Sequence, residues 1–230
     1  MNESPSGSVL RRPYFCSWSG GKDSCLALYH ALQTGGKPDR LLTMMAEDGK
    51  TSRSHALPRA LLEEQARMLD IPIVFREASW ESYEGVFSGA LRGFRADGIE
   101  AGVFGDIDIE DHRAWCRRVC GAAGLEALHP LWKRDRRELL DEFIGLGFAA
   151  TIIVVKADRL GPEWLGRTID RAAVADLEKA GVDPSGEFGE YHTVVTGGPI
   201  FRGRIRLETR DPHLHDGYWF LGVELPRIRR

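Results

Sequence analysis

The sequence predicts an α/β fold: a doubly wound, mostly parallel sheet with a smaller C-terminal α+β annex. Three observations carry this expectation. Apolar β-type runs and amphipathic helical stretches alternate over the first 155 residues, the rhythm of parallel strands joined by crossover helices. The first strand–helix junction is a Ser/Gly-rich turn. After Lys156 the alternation gives way to short β-like runs separated by turn signals such as Gly197-Gly198-Pro199 and Asp211-Pro212.

Taken in order, apolar runs at 13–18, 41–46, 72–78 and 101–107 read as strands, with helical patterns between them at about 23–35, 57–69 and 82–96. The helix at 57–69 has Pro58 near its first turn and Leu61, Leu62, Ala66 and Leu69 spaced for one buried face. Helices at roughly 110–123 and 135–147 flank a short Leu128–Trp132 segment, and Ala149–Val155 reads as a further strand. A helix at 170–180 ends at Gly181, and β-like runs follow at 191–196, 200–207 and 218–225. A nucleotide-binding domain is expected over 13–157 and a substrate-binding annex over 158–230. The polar stretch 1–12 lacks the apolar core of a signal peptide and reads as a disordered lead-in.

The junction at 14–24 is built to hold phosphates. Gly20 and Gly21 let the main chain bend and approach an anion closely. Ser17, Ser19 and Ser24 supply hydroxyls, Trp18 sits between two of them, and Lys22 adds a cation. The following helix contributes its N-terminal N–H groups and dipole. Asp23 beside phosphate calls for a divalent cation between them, so a nucleoside triphosphate with Mg²⁺ is the reading. The Walker A pattern does not fit, because Asp23 stands at its Ser/Thr place and Cys16 at its first glycine.

With a formal net charge of −3, no global field draws the chain to nucleic acid or an acidic membrane, and nucleic acid is disfavoured as a partner. The basic clusters at 117–118, 133–137 and 227–230 read as solvated faces and a tail. No apolar run approaches the roughly twenty residues that span a bilayer. Four cysteines at 16, 25, 116 and 120 show neither CxxC nor paired Cys/His spacing, which argues against a structural zinc site. They read as small buried residues in a reducing cytoplasm.

Ser19-Gly-Gly-Lys-Asp-Ser24 matches the PP-loop of the N-type ATP pyrophosphatases, which cleave ATP between the α- and β-phosphates. Together with Gly186-Glu-Phe-Gly-Glu-Tyr-His-Thr193 and Gly198-Pro-Ile-Phe201, it makes the chain resemble the diphthine–ammonia ligase family over about residues 13–207. Gly105-Asp106-Ile107, Pro130-Leu131-Trp132 and Trp164-Leu165-Gly166-Arg167 support the resemblance. It implies an adenine-nucleotide α-hydrolase-like (Rossmann-like) fold and an acyl-adenylate intermediate from which ammonia displaces AMP. The family motif reads Gly-Glu-Gly-Gly-Glu-Tyr-Glu-Thr; here Phe188 replaces a glycine and His192 the last glutamate. Gly105–His112 with Trp115 looks more like the bacterial branch.

Other candidates follow from position. Glu187 and Glu190, around Gly189, are paired carboxylates suited to holding an ammonium ion and accepting its proton, a role the resemblance favours over solvated turn acids. Tyr191 and His192 alternate on the emerging strand, with His192 the polar member. Gly105 gives backbone access at the end of the fourth strand, and Asp106 there suits magnesium or substrate. Asp108 could equally cap the next helix, and His112 and Arg113 at the start of that helix are further candidates, His112 for substrate. Arg53 could contact a phosphate or carboxylate, and His55 is its neighbour in a loop where the family also shows Arg and His. Met45 lies where this fold presents main-chain groups to adenine.

The expected protein is therefore a cytoplasmic, AMP-forming carboxylate–ammonia ligase using ATP and Mg²⁺, with Lys22, Asp23, Asp106, Glu187 and Glu190 carrying the chemistry. Its acceptor is the carboxylate of a modified protein histidine or of a small molecule such as a corrinoid-salvage acid. A tRNA-modifying enzyme and an ATP-holding sensor are the rival readings. A homodimer is expected by analogy with the fold alone.

Overall fold

The computed structural model describes residues 12–226, so the lead-in expected over 1–12 lies outside the described residues except for Arg12, as does the 227–230 tail. The described chain groups into two compact units. One comprises 12–18, Asp23–Gly49 and Ile71–Lys133; the other comprises Ser19–Lys22, Lys50–Asp70 and 134–226.

The first unit holds a five-stranded parallel sheet. Its strands are β1 (Tyr14–Ser17), β2 (Pro38–Met45), β3 (Ile73–Glu77), β4 (Ala101–Val103) and β5 (Glu126–Leu128), in the order β3-β2-β1-β4-β5. Cys16 of β1 sits opposite Leu41 on one side and Val103 on the other. The helices are α1 (Lys22–Gln33, its first residue grouped with the other unit), α3 (Tyr83–Ala96) and α4 (Glu110–Ala122). The second helix in chain order, α2 (Arg59–Leu69), belongs to the second unit.

Burial explains the strand composition. β1 carries Tyr14, Phe15 and Cys16 in succession, all fully buried, because a parallel strand is covered on both faces. Phe15 lies 5.3 Å from Phe94 and edge-on to Phe104 at 5.9 Å, in a core that includes Leu42, Phe87, Leu91, Cys116 and Cys120. Truncating Phe15 there would cost about 3–5 kcal/mol. The strand expected over 101–107 stops at Val103. Phe104 donates to Leu128 at the end of β5, and beyond that bond the backbone has no strand alongside; Ile107 instead accepts from Lys133 at 2.7 Å.

The second unit is built on an antiparallel sheet of β6 (Ala149–Lys156), β7 (Tyr191–Gly197), β9 (His213–His215) and β10 (Tyr218–Phe220), in the order β7-β6-β10-β9. A separate two-stranded ladder joins β8 (Glu208–Thr209) to β11 (Val223–Glu224). Two further helices are α5 (Arg136–Gly145) and α6 (Arg171–Lys179), capped by the carboxylates of Asp135 and Asp170. Here the fold departs from expectation: β6 does not extend the parallel sheet but pairs antiparallel with β7 and β10, and 134–157 groups with the C-terminal residues rather than with the parallel sheet. A continuous apolar run such as Ala149–Val155 records burial on both faces and says nothing of strand direction. The segment 200–207 is not a strand; its backbone bonds run from Arg202 to Met68 and from Ile205 to Thr196.

Candidate functional site

In a parallel sheet of order 3-2-1-4-5 the chain reverses its winding between β1 and β4, and ligands collect at the carboxyl ends of those two strands. Ser17 ends β1, half-buried, and Trp18 is packed away, its N–H donating to Leu42 and its carbonyl accepting from Thr43 at 2.6 Å. Asp23 lies in the first turn of α1, followed by buried Ser24. From the β4 side, Gly105 lies so close that a Cβ on it would stand 2.9 Å from the Asp23 carbonyl carbon and the Ser24 nitrogen. Met45 is fully buried in β2.

Asp106, next in the chain, is the hub of a polar cluster. Its carboxylate accepts from the Cys116 thiol at 3.7 Å, and its oxygens lie 3.6 Å from His129 Nε2 and 3.5 Å from Nδ1 of exposed His112. His129 stacks on Phe104 with ring centroids 5.5 Å apart. Burial pushes its imidazole below the usual range, outweighing Asp106 beside it, and pushes the Cys116 thiol up. Arg113 lies over the Trp132 ring at 4.6 Å.

The second unit carries the middle of the Ser/Gly turn. Gly20 adopts φ +80, a left-handed conformation, with no room for a Cβ against Gln65 Oε1 and Leu57 Cδ1, both at 2.7 Å. The Gln65 amide donates to the carbonyls of Gly20 and Val195, Val195 donates back to Gly20, and the Lys22 N–H reaches Thr193 Oγ1 at 3.1 Å. The Gly21 N–H is satisfied by Ser19 Oγ. Lys22 is buried, its ammonium 5.7 Å from the centre of the Tyr191 ring.

His55 and His192 meet beside this turn, their ring centroids 4.5 Å apart. Ser52 ties the 52–57 turn through its hydroxyl and carbonyl, and His55 Nδ1 lies 3.1 Å from Ser54 Oγ. Burial first, then His192 and Lys22, hold the His55 imidazole well below its ordinary value; burial and then Lys22 bring His192 down to about 4. Both rings are therefore neutral at pH 7. The structure thus brings together Lys22, His55 and His192, while half-buried Arg53 stays in the 51–58 turn.

Glu187, Gly189 and Glu190 occupy a tight loop with Gly186 at φ +67 and Gly189 at φ +78. Buried Glu190 accepts from the Phe188 N–H at 3.0 Å, so this carboxylate braces its own turn. Asp183, ion-paired with Arg136, accepts from the N–H groups of Ser185 and Glu187. The Arg136 guanidinium lies 4.8 Å from the centre of the exposed Phe188 ring.

Four contributors escape sequence reasoning: Gln65, Thr193, Cys116 and His129. A glutamine amid the apolar face of α2 is a visible signal for the first, since a buried amide needs partners. The partners of Cys116 and His129 come from distant segments and leave no spacing to read.

A parallel sheet with a Gly-rich turn opening its first helix defines an α/β nucleotide-binding protein. The diphthamide synthase N-terminal domain matches residues 14–127 and the diphthamide synthase C-terminal domain matches 135–229, so the chain belongs to the diphthamide synthase (diphthine–ammonia ligase) family. The diphthine–ammonia ligases of Rattus norvegicus and Homo sapiens are each 26% identical over 235 residues, covering 91% of this chain and 88% of theirs. That of Schizosaccharomyces pombe is 27% identical over 216 residues, 84% of this chain but 36% of its own length. Among solved structures, a predicted subunit of tRNA methyltransferase from Methanocaldococcus jannaschii superposes loosely, at a TM-score of 0.45 and 18% identity over 82% of this chain and 98% of that one. Among the described residues no helix is long and apolar enough to cross a membrane.

Proposed function

We propose that the protein is an ATP-dependent ligase that joins ammonia, or an amine, to an acceptor carboxylate, releasing AMP and pyrophosphate. One observation carries the reading: the Ser19–Lys22 turn is held open from outside by Gln65, Val195 and Thr193, with Gly20 left-handed and Lys22 buried. A main chain shaped this way, with a buried cation, suits a polyphosphate. The relatives' name, diphthine–ammonia ligase, supports the acceptor chemistry.

The residues present fit ATP with Mg²⁺. Lys22 and the hydroxyls of Ser17, Ser19 and Ser24 suit phosphate oxygens, and the Asp23 carboxylate suits the metal. Gly105 keeps the backbone of Asp23 and Ser24 clear of any side chain from the β4 loop. Bound Mg²⁺ would neutralise charge on the phosphates.

In the proposed reaction an acceptor carboxylate oxygen attacks the α-phosphorus as the bond to the bridging oxygen breaks and pyrophosphate leaves. Lys22 stabilises the charge that grows on the leaving group. Ammonia then attacks the acyl carbon, a C–N bond forms, AMP leaves, and the surplus proton passes to a carboxylate. Glu187 and Glu190 are assigned to hold and deprotonate the amine. His112, Arg53 and His55 are assigned to acceptor binding, and Asp106 to the ligand edge of the sheet. His192, neutral beside His55 where the family motif has a carboxylate, favours a second reading with a small-molecule acid as acceptor.

The deciding experiment incubates the protein with ATP labelled at its α-phosphate, Mg²⁺ and ammonium, plus either unamidated elongation factor carrying diphthine or a pool of small carboxylic acids. Labelled AMP that appears only with one acceptor supports the ligase and names its substrate class. Labelled ADP, or tight binding without turnover in every mixture, overturns it.

A further inference from the structure

We propose that Asp106, Cys116 and His129 form a binding site for a zinc-class transition-metal dication, contained within the first unit and sharing Asp106 with the ligand edge of the sheet. A carboxylate oxygen, Sγ of Cys116 and a ring nitrogen of His129 all lie within 4.8 Å of one another. In a tetrahedral zinc site, metal–sulfur and metal–nitrogen or –oxygen bonds of about 2.3 and 2.1 Å place neighbouring ligand atoms about 3.5 Å apart. The Asp106 Oδ2 to Cys116 Sγ and Asp106 Oδ2 to His129 Nε2 separations are 3.7 and 3.6 Å. Small side-chain rotations would bring all three onto one ion.

The orientation of His129 is the second, independent observation. Its side chain is 4% exposed, and Nε2, buried, makes no hydrogen bond. The ring bonds instead to the Ala127 backbone carbonyl, which makes Nδ1 the protonated nitrogen and leaves the Nε2 lone pair aimed at the Asp106 carboxylate. Two acceptors facing each other, one of them buried, repel one another; a cation between them turns that repulsion into coordination. A backbone carbonyl fixing the tautomer of the ligating ring is the usual outer support of a metal-bound histidine.

The donor set selects the ion. One sulfur, one imidazole nitrogen and one carboxylate oxygen suit zinc or cobalt, whereas magnesium and calcium take oxygen ligands throughout. The thiolate and carboxylate together offset the ion's two charges, against the opposing field of Arg113 and Arg117. His112 Nδ1, 3.5 Å from Asp106 Oδ1 on an exposed side chain, is placed to add a fourth ligand or to leave that position to water. Asp106 comes from the loop after β4, Cys116 from α4 and His129 from the segment after β5, so no compact zinc motif exists in the chain.

The test loads the purified full-length chain with Zn²⁺, removes loose metal by dialysis, and measures retained zinc; a parallel sample is titrated with Co²⁺. The expected result is one equivalent of zinc retained, with a tetrahedral cobalt spectrum and a thiolate-to-cobalt charge-transfer band in the near ultraviolet. Cys116→Ser should abolish that band, His129→Gln should weaken binding more than about 100-fold, beyond the usual effect of outer partners, and Cys120→Ala should leave both intact. If Cys116→Ser does not fold by circular dichroism, Asp106→Asn and His129→Gln decide. A charge-transfer band that survives in Cys116→Ser, zinc affinity unchanged in Asp106→Asn and His129→Gln, or an octahedral cobalt spectrum without thiolate contribution would overturn the proposal.

Discussion

The side-chain amide of Gln65 donates to the main-chain carbonyl of Gly20 at 3.0 Å, bridging forty-five positions of sequence, and the same nitrogen holds Val195 O at 2.7 Å. Gln65 is fully buried, so these bonds are made out of water. The left-handed turn at Gly20 is thus braced from α2 and β7 as well as by Ser19 within the turn itself. A preshaped loop loses less entropy on meeting a polyphosphate.

Gln65→Leu removes the donor and leaves the Val195 carbonyl buried without it. We expect a loss of about 2 kcal/mol of unfolding free energy, read as a lower urea midpoint with an unchanged slope. ATP affinity should fall in the same variant, because the turn at Gly20 loses its brace. Full stability together with full affinity would contradict this role.

Gly105→Ala and Gly21→Ala should separate cleanly. The new Cβ at 105 meets backbone, the Asp23 carbonyl carbon and Ser24 nitrogen at 2.9 Å, which yields only if the start of α1 moves. At 21 the nearest atom is His55 Nε2 at 2.6 Å, the end of a side chain that can rotate, although Thr193 O at 3.2 Å adds some pressure. Gly105→Ala is expected to lower kcat/KM for ATP by roughly tenfold or more, about 1.4 kcal/mol, and Gly21→Ala by less. Steady-state kinetics of the pair, reversed in order, would refute the argument.

Acid should destabilise the protein through His55 and His192. Both imidazoles titrate lower in the folded chain than the roughly 6.5 of an unfolded one, His192 at about 4. As pH falls below about 6.5 the unfolded state takes up protons that the folded state refuses, so stability present at neutral pH is lost progressively toward pH 4. Thermal melts of His55→Gln/His192→Gln should show a shallower decline of Tm with acid than the parent chain; parallel curves would exclude the pair as the cause.

Asp23→Ala is expected to abolish pyrophosphate release and weaken ATP binding in the presence of Mg²⁺. Glu190→Ala removes the acceptor of the Phe188 N–H and loosens the 186–190 loop. It should leave ATP binding within about twofold while blocking amide formation, two quantities separable by equilibrium binding and product analysis. Normal amide turnover in Glu190→Ala would remove that loop from the proposed chemistry.

Much of the fold was legible because its signals are local. The helix face Leu61, Leu62, Ala66 and Leu69 is buried as its spacing requires, and the strand–turn–helix at 14–24 forms where the glycines sit. The direction of β6 is not legible, because Ala149–Val155 is apolar throughout and burial on both faces is common to a parallel strand and a central antiparallel one. The stretch 200–207 has β-type residues but no neighbouring strand, so its backbone turns to Met68 and Thr196.

Local chemistry alone marks the residue types at each turn: the Ser-Gly-Gly-Lys-Asp-Ser junction, the Asp106 carboxylate after a strand, the Gly-bounded loop at 186–190. These follow from φ preferences, helix spacing and short-range chemistry, which a chain expresses within a few residues. Which of them share a neighbourhood is a matter of the folded chain. It set His55 against His192 beside Lys22, turned Glu190 back on its own loop, and gathered Asp106, Cys116 and His129 from three segments. Such meetings are fixed by strand order and register, which depend on the packing of the whole core and are written in no single stretch of it.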